Sequence, residues 1–173
     1  MKVKNLFIVS IALLLAACTP QAPQRPSRRM GQAPQADSAQ LALLALNQQL
    51  TETADEALYR LAQAQDEPYA LYENGTWVLL QDTGDAAQGP IREGEECTVH
   101  MRIYSLERRL YSDIEQTAHA GKYEFPAAVD ANIGEWNHGT KAKLLAPWYA
   151  AYGIKGTDVI PPYENVIIEI ELK

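Results

Sequence analysis

Cysteine is nearly absent from this chain of 173 residues, which holds only Cys18 and Cys97. A small domain stapled by disulfides needs several pairs, so that class is excluded. Histidine is equally sparse. His100, His119 and His138 are scattered, without the spacing of a metal site. Positive charge is short as well, with 15 Lys and Arg against 22 Asp and Glu and a net charge of −7. A chain with that balance does not hold nucleic acid through its overall field. No Ser-His-Asp arrangement, phosphate-binding glycine loop or dinucleotide glycine motif occurs. There is also no apolar run of the roughly 20 residues that a membrane-crossing helix needs.

What is present begins with a short apolar run, Leu6 to Leu15, preceded by Lys2 and Lys4. A basic start, about ten apolar residues and a small-residue end read as a secretory signal over residues 1–17. Leu15-Ala16-Ala17-Cys18 matches the lipobox at which bacterial lipoproteins are cut and diacylated, which makes Cys18 the expected lipid anchor. The plainer reading is an ordinary signal that happens to contain a cysteine. Thr19 follows the cysteine, and no acidic cluster comes soon after. By analogy with other lipoproteins, that favours an outer-membrane anchor with the domain in the periplasm. Losing Lys2 and Lys4 lowers the net charge from −7 to −9. Cys97 is then the remaining thiol, and in an oxidising compartment it must be buried or inert.

Residues 18–37 are rich in Pro, Gln, Ala and Arg and carry no apolar period, so they read as a flexible tether. Asp37-Ser38-Ala39 fits a short pattern used by some periplasmic O-glycosylation systems, but the better reading is Ser38 as the N-cap of the next helix. Residues 38–68 hold the one long helical signal. Leu43, Leu46, Leu50, Ala54, Ala57, Leu58 and Leu61 recur at three- and four-residue steps, and Pro68 marks the end. This stripe must be covered, either by the domain that follows or by a second copy in a homodimer through residues 38–65.

Residues 69–173 form a β-rich domain with one modest core. Cys97, Val99, Met101 and Ile103 alternate with polar partners, which puts the cysteine on an apolar face. A helix is expected from Pro126 to Asn137, with Val129, Ile133 and Trp136 on one side. Lys141 and Lys143 alternate with Ala142 and Leu144, so both lysines are expected on a solvated strand face. The order of elements is α+β rather than alternating β-α-β. Ala150 to Pro162 supplies a stiff loop, with Gly153, Gly156 and Pro161-Pro162 fixing its course into a last alternating strand.

Three motifs together carry a family resemblance: the Ala-Tyr-Gly at 151–153 with Ile160-Pro161-Pro162, the Gly139–Pro147 segment GTKAKLLAP, and the Cys97–Arg102 strand CTVHMR. The chain resembles FKBP-type peptidyl-prolyl isomerases, best over residues 94–173. The lipobox, the helix and the segment around Leu110-Tyr111-Ser112 look most like periplasmic lipoprotein isomerases related to gliding motility. The resemblance implies an FKBP-like antiparallel sheet wrapped around a short helix, preceded by one long N-terminal helix. It implies isomerisation of Xaa-Pro bonds in polypeptide clients, needing no cofactor and no metal. Tyr152 would be the phenol that bonds the substrate carbonyl, with Ile160 and Val159 on the loop wall. Tyr111 and Tyr123 would stand where the family has pocket phenylalanines. Met101, Val129 and Ile168 would complete the pocket, each replacing an aromatic residue. Ser112 stands where the family has an Asp, and Asp113 comes one position late. Pro126 falls at a helix start that normally offers an N–H. These departures point to weak rather than strong catalysis, or to a non-catalytic chaperone or interaction module on the same fold.

Overall fold

Residues 37–173 are described by a computed structural model; the expected signal peptide, Cys18 and the tether lie outside them. The leucine period of the N-terminal segment forms one helix, α1 (Ser38–Gln63), of 26 residues. Only its second half is covered. Ala54, Leu58 and Ala62 are buried, whereas Leu41, Leu43, Leu44 and Leu46 are more than half exposed.

Six strands make a single antiparallel sheet: β1 (Ala70–Leu71), β2 (Trp77–Asp82), β3 (Glu96–Ser105), β4 (Leu110–His119), β5 (Lys141–Ala146) and β6 (Val166–Leu172). Their order across the sheet is β1-β2-β5-β6-β3-β4. The last strand in the chain therefore lies inside, between β5 and β3, and register fixes what each face holds. Ile168 sits opposite Leu144 on one side and Ile103 on the other, and Ile170 lies between Ala142 and Met101. These residues build the inner face, all buried, and the main core forms against them. One residue along the strand, the parity flips. Ile167 pairs with Leu145 and Tyr104 on the outer face, and there Leu58 and Ala62 of α1 cover them.

The inner face is closed by a short helix, α2 (Ala127–Asp130), and a 3₁₀ turn at Ile133–Glu135. This is less helix than the expected span from Pro126 to Asn137. Val129 and Asp130 donate their N–H groups to the Pro126 carbonyl, but Trp136 is already extended. The buried Asn132 side chain turns back to bond the Ala128 carbonyl at 2.8 Å, which competes with continuation of the helix. Val129, Ile133 and Trp136 nonetheless all reach the core, as the period requires.

Lys143 departs from expectation. It is 6% exposed, with its ammonium 3.0 Å from Gln65 Oε1, 3.5 Å from Glu67 Oε2 and 5.8 Å from the Tyr69 ring centre. The segment leaving α1 folds over the outer face of β5 and encloses a lysine that strand alternation alone would leave in water. Lys141, two residues earlier, stays exposed and pairs with Glu171 at 3.0 Å. Cys97 is buried with its thiol directed at the Ala118 carbonyl, and burial pushes its pKa up, so it is an unreactive core residue.

Since α1 covers the outer face through Leu58, Leu58→Ala should cost ~2–5 kcal/mol by leaving a cavity over Leu145 and Ile167. Chemical denaturation measures this. An unchanged midpoint would mean that α1 does not dock on its own sheet.

Candidate functional site

The loop between β5 and β6 sets the site. It opens with Pro147 and a 3₁₀ turn at Trp148–Ala150, then doubles back so that Gly153 N–H reaches the Trp148 carbonyl at 2.7 Å. Gly156 follows at φ +62°, and a Cβ there would lie 2.2 Å from the Ile160 carbonyl oxygen. Only glycine fits. Across this close approach the Thr157 N–H bonds the Ile160 carbonyl at 2.8 Å, and the Thr157 hydroxyl oxygen accepts from the Ile160 N–H at 3.0 Å. The loop is thus a hook that presses Ile160, 2% exposed, into the main core and leaves Val159 outside at 58%. Both ends are pinned. Asn165 Oδ1 accepts from the Trp148 N–H at 2.9 Å, and the Tyr163 ring meets that of Trp148 at 5.0 Å.

Tyr152 leans on the same core from the near side of the hook. Burial alone pushes its pKa up to about 12, so the phenol keeps its proton at any physiological pH. Its hydroxyl has no hydrogen-bond partner among the described residues. Tyr111, on β4, differs in this respect. Its hydroxyl accepts from Arg109 Nη2 and donates to Glu164 Oε1, both at 2.8 Å, while the Arg109 guanidinium lies 4.7 Å from the ring centre. Burial raises the Tyr111 pKa first, the Arg109 bond opposes this, and the Glu164 carboxylate adds to the rise. Tyr111 therefore ties β4 to the loop end, with no proton left to offer. Tyr152 is the open donor.

Met101, Val129 and Ile168 belong to the core cluster on which both rings pack, all with no exposed surface. Tyr152, Ile160, Tyr111, Met101, Val129 and Ile168 are thus brought together. Two of the expected residues are not. Val159 faces solvent, and Tyr123 is 88% exposed. The reason lies in the turn at 121–123. The buried Asp130 carboxylate accepts the N–H groups of Gly121 (3.1 Å) and Tyr123 (2.9 Å), holding Tyr123 at φ +59° with its side chain outward. Phe125, two residues on and 4% exposed, takes the inner place. Tyr72 also packs on this cluster, ahead of the best-matched residues. The alternation of Tyr123 and Phe125 signalled an inward aromatic but not which of the two. Asp113 is on the outer face, 2.5 Å from His100 Nε2, so no carboxylate comes from β4 to the site.

No family model matches the sequence, and no curated protein matches it. Solved structures do. The N-terminal domain of FKBP42 from Arabidopsis thaliana is similar with a TM-score of 0.53 at 18% identity, over 62% of this chain and 91% of that one. A peptidyl-prolyl cis-trans isomerase from Pseudomonas syringae pv. tomato gives 0.57 at 19% identity, over 70% of this chain and 92% of that one. The fold is therefore the FKBP-like α+β fold, an antiparallel sheet closed by a short helix and preceded here by α1.

Gly156→Ala tests the hook. The left-handed backbone alone should cost ~1–3 kcal/mol, and the contact with the Ile160 carbonyl should add to it. A denaturation midpoint equal to wild type would show that the loop does not hold Ile160 in this way.

Proposed function

We propose that this protein is a peptidyl-prolyl cis-trans isomerase for Xaa-Pro bonds of cell-envelope proteins, held by a lipid on Cys18 at the periplasmic side of the outer membrane. It would belong with the periplasmic lipoprotein isomerases related to gliding motility. The observation that carries the chemistry is the Tyr152 hydroxyl, without a hydrogen-bond partner among the described residues, at the edge of an apolar cluster that contains Ile160. Prolyl isomerisation needs no nucleophile. Its barrier of ~18–20 kcal/mol is the loss of amide resonance on twisting the C–N bond. A twisted amide has less charge separation than a planar one, so an apolar surface favours it over water. Tyr152 would hold the carbonyl that precedes the proline, while Ile160, Tyr111 and Phe125 wall the ring above Met101, Val129 and Ile168. Val159 and Tyr123 would meet the client outside this cluster.

The complete burial of Met101, Val129 and Ile168 supports a second reading, a binding module that holds proline segments without turning them over. A filled floor makes for a shallow slot. Proline-limited refolding separates the two. The isomerase accelerates it at micromolar protein, and the binding module does not. For the enzyme, Tyr152→Phe should reduce catalytic efficiency roughly two- to tenfold, the worth of one hydrogen bond of ~0.5–1.5 kcal/mol. Ile160→Asp should cost more, because it places a carboxylate in the apolar wall. Abolished turnover in the first with near wild-type turnover in a folded second would contradict the hydrophobic account.

Anchoring has its own test. Cys18→Ala should block lipidation and leave precursor or soluble protein. Mature-sized protein that still sediments with membranes would refute the lipid anchor.

A further inference from the structure

The β1 edge of the sheet, which has no further strand among the described residues, has the makings of a second polypeptide site. β1 is an edge strand, paired on one side only with β2. Tyr72 donates its N–H to the Thr76 carbonyl at 2.9 Å, and its own carbonyl accepts from Gly75, so its backbone groups are spent on the turn. In an antiparallel ladder bonded and non-bonded pairs alternate. Leu71, opposite Trp77, is thus a non-bonded position, with its N–H and C=O directed away from the sheet. Its side chain is 59% exposed. An edge of this kind is a template for another strand.

The surroundings say what sort of strand. Two concavities, of about 630 and 570 Å³, flank Leu71 to Asn74 and share those four residues. The first has Tyr149, Ala127 and Ala150 as its wall and Asp55 of α1 at its margin. The second runs toward Asn132 and Glu135. Glu73 stands at both. Tyr149 donates to Asp55 at 2.5 Å, and Tyr72 lies beside Glu135, so both carboxylates are held in place by phenols. Among the described residues none of Asp55, Glu73 and Glu135 pairs with a cation, whereas the outer-face acids Glu115, Glu169 and Glu171 all do. α1 and α2 pack on opposite faces of the sheet, so carboxylate charge waits on both sides of the open edge. Of these residues, Tyr72 and Ala150 also belong to the Tyr152 cluster, whereas the three carboxylates and Leu71 lie outside it.

We propose that the β1 edge binds an extended, basic polypeptide segment by strand addition. Leu71 supplies the backbone pairing, and lysine or arginine side chains reach Asp55 on one face, Glu135 on the other and Glu73 between them. The segment needs no proline, so this site is independent of the isomerase reading.

A fluorescein-labelled peptide repeating Lys-Val-Thr tests it with the full chain in mild detergent, read by anisotropy. Lysine at every third position places successive ammonium groups on alternate faces of a strand. Binding should weaken with salt, and the same peptide with glutamate for lysine should not bind. Leu71→Pro removes the outward N–H, and the exposed Leu side chain with it, without breaking a ladder bond to β2, and should weaken binding by about tenfold while α1 and the sheet stay folded. Glu73→Lys with Glu135→Lys should abolish it, a result that stands even if the proline variant unfolds. Binding unaffected by both variants, or no binding to wild type, overturns the proposal. So does a self-association of the chain that Leu71→Pro removes without any peptide binding, since the edge would then pair with a second copy.

Discussion

Burial of β6 on both faces is the constraint from which the rest follows. A strand in the middle of a sheet has two sides, and side-chain alternation sends successive residues to each. Here Val166, Ile168, Ile170 and Leu172 build the main core, and Ile167 builds a second, smaller one. One face needs α2 and the hook loop, the other needs α1. The long helix is therefore part of the domain rather than a spacer, although its first turns extend past the sheet with their leucines uncovered. The same strand anchors the loop end, since Asn165 and Glu164 immediately precede it and bond Trp148 and Tyr111.

Division of labour among the tyrosines follows from their partners. Tyr111 is saturated between Arg109 and Glu164, Tyr149 is committed to Asp55, and Tyr72 is engaged by Glu135. Of the three tyrosines packed on the main core, Tyr152 is the one whose hydroxyl has no partner among the described residues. Burial keeps that phenol protonated, so it can donate a hydrogen bond across the whole physiological range. The floor below is aliphatic, which supplies desolvation but little of the shape that a larger ring would give.

Much of this was legible in the sequence, where local chemistry dictates structure. The alternation of Cys97 to Ile103 and of Val166 to Leu172 carries the parity of β3 and β6, and Gly156 marks the hook that only a residue without Cβ can make. The helix stripe marked α1, but periodicity does not say how far a partner surface extends, so the exposure of Leu43 and Leu46 was not readable. Lys143 was misjudged because alternation assigns a face and not what lies over it; the cover comes from Gln65 to Tyr69, far away in sequence. Tyr123 was misjudged because Asp130, seven residues later, bends the backbone there to positive φ. Neither contact is carried by strand alternation.

The central claim is that a prolyl ring sits against Ile160 under the Tyr152 hydroxyl. Intermolecular nuclear Overhauser contacts between a proline-containing peptide and the Ile160 methyl groups test it directly. The account predicts contacts from the prolyl ring to Ile160 and to the Tyr152 ring, with exchange between cis and trans peptide signals faster than in free peptide. Prolyl contacts found instead at Leu71 and Tyr149, with none at Ile160, would contradict it.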